Sequence, residues 1–169
     1  MALDLITPVS DVHRRDLICA DTNMVDPDHA DHVKAGEWVG LDANGHAQEG
    51  GDDIVAGAGG SPVLGEGPFY QVFSQKGDSA AQALGKICVI MSLDYEAETD
   101  MYRDGVTFSA GMALTISQTD MGGSGTGDDT RCVLDEAAAS DVVVAICTMA
   151  PSATASGKLR FQRVAPHVR

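Results

Sequence analysis

Several things are scarce in this chain, and each scarcity narrows the reading. No apolar run approaches the ~18 residues that a membrane-crossing helix needs. Basic residues are few: 11 Lys and Arg stand against 25 Asp and Glu, a formal net charge of −14. A field of that sign disfavours nucleic acid and anionic lipid surfaces, so neither is an expected partner. Aromatics are 5% of the residues, with a single tryptophan, Trp38. The four cysteines (Cys19, Cys88, Cys132 and Cys147) form no C-x-x-C pair, which removes the usual zinc and thiol-redox spacings. Cys88 and Cys147 lie inside apolar runs, where a thiol acts as a small hydrophobe. The N-terminal residues have neither a basic start nor a long apolar stretch, so they do not read as a signal peptide. Synthesis and folding in a cytoplasm are the expectation.

What is present points to a β-protein. Apolar residues make up 44% of a 169-residue chain, enough for one domain with a buried core. Nineteen glycines say that turns and small residues carry much of the fold. Residues 1–32 carry seven aspartates between short apolar patches and read as an extended acidic N-terminal arm. Such an arm cannot pack alone, so it is expected to lie across its own domain or a neighbouring subunit. Residues 33–169 read as the β-rich domain, with a glycine-rich loop at 49–68.

The best-specified stretch is Val33–Ala47. Val39, Leu41 and Ala43 fall on one face at period two, and Asn44-Gly45 predicts a two-residue type I′ turn. A strand–turn–strand hairpin follows. Trp38, on the opposite face, is expected to cap a second core layer or to anchor a partner. Further strands are expected at Phe69–Phe73, Ile87–Leu93, two pieces of 106–117 bent at Gly111, Arg131–Leu134, Val142–Cys147 and Leu159–Val164. Val142–Cys147 is the clearest, an apolar β-branched run suited to the middle of a sheet. Asp78–Lys86 is a weak helix signal closed by Gly85, and Asp94–Asp100 reads as an acidic connector. The sum is about eight short strands with long loops, a small β-barrel or β-sandwich.

Chemistry-bearing motifs are thin. Asp26, Asp28, His29, Asp31 and His32 cluster in sequence, but without a rigid scaffold for a metal site. Asp42-Ala-Asn-Gly-His46 opens like a calcium loop and then departs from it, with Ala47 where the loop glycine belongs. The glycines at 57, 59 and 60 are followed by Pro62 and by no Gly-Lys-Ser/Thr, so a phosphate loop is not expected. Ser124 lies in Gly-Gly-Ser-Gly-Thr, not in a nucleophile elbow. No enzyme activity, cofactor or metal is expected. After Asp141 there is no acidic side chain, yet Lys158, Arg160, Arg163 and Arg169 follow. This basic end reads either as a terminal strand paired with acidic neighbours or as a docking surface.

Val33–Ala47 resembles the opening hairpin of small tailed-bacteriophage capsid decoration (cement) proteins. Gly111-Met-Ala-Leu-Thr115 is similar to their "glycine, apolar, Leu-Thr" strand opening. Asp141–Thr148, then a Pro- and Ser-containing loop and Gly157-Lys-Leu-Arg-Phe161, looks like their closing strand pair. The likeness covers residues 33–47 and 106–164; the acidic arm and the 49–68 insertion lie outside it. It implies a non-enzymatic virion component, made in a bacterial cytoplasm, that stabilises the outer face of a major capsid protein shell. It also implies a homo-oligomer, with a trimer as the expected form. Trp38, Lys158, Arg160 and Arg163 are the expected partner-binding residues. The alternatives are another phage structural protein (head spike, fibre base or tail component) and a small cytoplasmic metal- or ligand-binding β-barrel.

Overall fold

The computed structural model describes residues 3–26, 32–41, 44–48, 70–74, 84–120 and 130–169. Within them the chain forms β1 (Leu3–Leu5), β2 (Arg14–Ile18), β3 (Trp38–Leu41), β4 (Ala47–Gln48), β5 (Tyr70–Ser74) and β6 (Lys86–Ile90). These are followed by β7 (Glu96–Thr99), β8 (Ala113–Asp120), β9 (Thr130–Glu136), β10 (Val142–Met149) and β11 (Leu159–Val168). The protein is mainly β, as the sequence predicts, and the strands build two antiparallel sheets. One has the order β1-β7-β11-β10-β8-β9, the other β2-β6-β5-β3-β4.

Each sheet has its own reason to be buried. On the five-stranded sheet, Leu17, Val39, Val72, Ile87 and Val89 share one face and pack with Met24, Val25 and Val33 into a small inner core. This sheet curls until its outermost strands touch. Cys19, just after β2, forms a parallel bridge to Ala47 in β4, and Ala20 N–H donates to Ala47 O at 2.8 Å. Its other face brings Trp38 and Ile90 onto the six-stranded sheet, where they join Leu114, Ile116, Leu134, Val144, Leu159 and Phe161 in the larger core. β10 lies between β11 and β8 and is buried along most of its length, as its β-branched run predicts.

Local readings fare unequally. The hairpin forms, but its register pairs Leu41 with Ala47 and Gly40 with Gln48, so five residues connect the strands. Gly45 has φ +78°, but a connection in this register has an odd number of residues and is not the two-residue Asn44-Gly45 turn of type I′. The two-residue turn is corrected to a wider loop. The first piece of 106–117 is not a strand: the chain turns at Gly111 (φ +87°) and only then enters β8. The acidic connector is also corrected, because Glu96–Thr99 is β7, paired on both sides. The segment read as an arm lies on its own domain and is integral to it, supplying β1 to one sheet and β2 to the other. The glycine-rich loop at 49–68 and most of the helix signal fall outside the described residues. Gly85, expected to close that helix, has φ +56°.

Candidate functional site

The joint between the sheets is where the expected site residues lead. β3 alternates as a strand must: Val39 faces the inner core, and Trp38, 0% exposed, faces the six-stranded sheet. The Arg163 guanidinium stacks over the indole at 4.7 Å and donates to Val144 O at 2.6 Å. Arg163 is only 3% exposed, and burial pulls its pKa down to about 10, so it is still a cation at neutral pH. Beside it Tyr95, edge-on to Phe161, donates its hydroxyl proton to Gln71 Oε1 at 2.6 Å. Gln71 Nε2 donates in turn to Gly36 O at 3.0 Å. Burial pushes the Tyr95 phenol well above its ordinary range. Trp38 Nε1 is buried and makes no hydrogen bond.

A second buried link crosses the same joint. Arg131 on β9 and Glu37, immediately before β3, are each 2% exposed and 3.6 Å apart. Arg131 also donates to His32 O at 2.5 Å, and Glu37 Oε2 accepts from Lys34 N–H at 2.8 Å. These contacts fix one sheet against the other through charge-assisted bonds in a low dielectric.

The expected partner-binding residues therefore divide. Trp38 and Arg163 belong to the core, a correction to their reading as contact residues, because neither presents a side chain to solvent. Lys158 Nζ meets Asp4 on β1 at 2.7 Å. Arg160 binds Glu98 on β7 at 2.6 Å, and Ser156 donates to the same carboxylate at 2.6 Å. The Ser156 hydroxyl first, then Arg160, holds the Glu98 carboxyl below its usual range. Of the two readings of the basic end, pairing with acidic neighbour strands describes Lys158 and Arg160. Asp26 and His32 are described, but the residues between them, like Asp42 and Ser124, fall outside the described residues. None of the four cysteines is joined in a disulfide; Cys88 is half-buried and the other three are buried.

One open feature escaped the sequence reading. A groove of about 360 Å³ runs beside β2, lined by Val12, His13, Arg14, Arg15, Asp16 and Cys88. Arg14 stacks on Phe73 at 4.8 Å. The available signal was that Arg14-Arg15 is the one adjacent pair of Lys or Arg residues in an acidic chain.

Compared with known proteins, the chain matches no family model, no curated protein and no solved structure. The likeness to decoration proteins rests on its short motifs alone.

Proposed function

We propose that the protein is a non-enzymatic structural component of a virion that binds the outer surface of a major capsid protein shell and stabilises it. The motif resemblance of residues 33–47 and 106–164 to capsid decoration proteins carries the reading. Three features support it. Where they are described, the resembling motifs contribute the β3–β4 pair, the Gly111 turn before β8, and the antiparallel β10–β11 pair. The charge of −14 suits a soluble exterior coat. Two sheets joined by buried charged contacts make a stiff body, and many stiff copies multiply a modest contact by avidity. A closed homo-oligomer, a trimer at local threefold positions, belongs to the same reading.

The test is addition of the purified protein to undecorated capsids of the phage whose genome carries the gene. Saturable binding and a raised capsid melting temperature are expected. Capsids that neither bind it nor gain stability rule the reading out.

A further inference from the structure

The chain has two asparagines, Asn23 and Asn44, and the fold gives them opposite settings. An asparagine side chain carries an electrophilic amide carbon within reach of the next residue's backbone nitrogen. Whether the two meet depends on what holds that nitrogen and how bulky its residue is.

Asn23 is held. It lies in the 3-10 turn Thr22–Val25, where Asp21 accepts from the Asn23 backbone N–H at 2.8 Å and from its side-chain amide at 3.4 Å. The nitrogen that follows, Met24 N–H, donates to Asp21 O, and Met24 is 1% exposed in the inner core. Closing a ring from Asn23 onto that nitrogen would open the turn and shift a core side chain.

Asn44 is set differently. Asn44 and Gly45 stand outside the β3–β4 ladder, in the loop of five residues that follows the Leu41–Ala47 pair, and both are exposed. Gly45 has φ +78°, and a Cβ built on it would meet nothing within 4 Å. No described residue accepts a backbone hydrogen bond from its N–H. The nucleophile therefore has neither a side chain to obstruct it nor a ladder bond to hold it.

We infer that Asn44-Gly45 is a site of covalent self-modification, at which the folded chain loses the Asn44 side-chain amide to water. Base takes the Gly45 amide proton, and the nitrogen attacks Asn44 Cγ. The new N–C bond closes a succinimide ring while the Cγ–Nδ2 bond breaks, and ammonia leaves with a proton from solvent. Water then opens the ring at either carbonyl, giving an aspartate or an isoaspartate whose backbone runs through the former side chain. Either product adds one negative charge to the −14 of the chain. The loop lies outside both cores, and the inference does not depend on the capsid reading.

The purified chain, folded or unfolded in guanidinium chloride, is held in mildly alkaline buffer and followed by peptide mass mapping. The peptide containing Asn44 is expected to gain about 1 Da and to resolve into aspartate and isoaspartate forms, while Asn23 keeps its amide in the folded chain. The folded chain is expected to react within about tenfold of the unfolded rate, whereas a reaction that waited for global unfolding would be slower by about a thousandfold or more. Asn44→Gln, which must close a larger ring, is expected to abolish the mass gain. An Asn44 that keeps its amide when folded and loses it in guanidinium overturns the inference, because the fold then shields the loop. Equal conversion of Asn23 and Asn44 in the folded chain overturns it too, as does a mass gain that persists in Asn44→Gln.

Discussion

A guanidinium that is 3% exposed has to find acceptors inside the protein, and Arg163 uses Val144 O and the Trp38 ring. That environment changes what its substitution reports. Arg163→Met keeps the stem's packing but leaves a buried carbonyl short of a donor. It is expected to cost about 1–3 kcal/mol in urea unfolding. Trp38→Ala opens a cavity at the joint and is expected to cost about 3–5 kcal/mol. Arg163→Glu places an acid against Val144 O and is expected to cost more than Arg163→Met in the same measurement. By contrast Lys158→Met, at a pair whose Asp4 partner is 48% exposed, changes stability by no more than about 1 kcal/mol. Nothing in Gln-Arg-Val announces that Arg163 points inward while Lys158 and Arg160 do not. The clue is the alternation of β11, Leu159, Phe161 and Arg163 sharing its buried face. A periodicity reading that scores Arg as polar breaks the pattern there.

Among the elements, those written in β-branched or aromatic residues were legible: β5, β6, β10 and β11 all lie within or beside their expected segments. β7 was not. Glu-Ala-Glu-Thr carries charges at alternate positions, which local pattern reads as solvent-facing. It is a strand because its charges are met from elsewhere: Arg160 and Ser156 on Glu98, and the Thr148 hydroxyl, which donates to Glu96 Oε1. Arg160 is 62 residues away in sequence, beyond any window of local reading. β1 and β2 were hidden for a related reason, since a three-residue strand in an aspartate-rich segment gives no period to detect. The Glu98 contacts also make β7 sensitive to acid. Its carboxyl is held below the ordinary glutamate value of about 4.3, so the stabilisation is complete above that pH and is lost as pH falls through the lowered value. Glu98→Gln should lower the melting temperature at pH 7, and the gap to the parent should shrink when both are melted near pH 3.

At the scale of the molecule, the two cores are held as one body by the joint at β3 and β9. The Glu37–Arg131 pair is part of that joint, so removing either partner alone takes a neighbouring opposite charge from a buried group. Glu37→Gln or Arg131→Met is expected to cost about 3–5 kcal/mol, and the double substitution less than the sum. A double-mutant cycle by chemical denaturation measures it; strict additivity would mean the two groups do not sense each other. The joint was only half visible in the sequence. Trp38 signalled a second packed layer, but Glu37, Gln71, Tyr95 and Arg131 are brought together only by the stacking of the sheets.

β7 lies between β1 and β11, with Thr99 facing Leu3 on one side and Leu159 on the other. This has a consequence for synthesis on the ribosome. Until β11 has emerged, β7 has only β1 beside it, and the six-stranded sheet remains in two parts. Contacts this distant form slowly, and an unfinished sheet exposes an edge to other nascent chains. The vulnerable period for aggregation thus ends only when β11 joins β7 to β10.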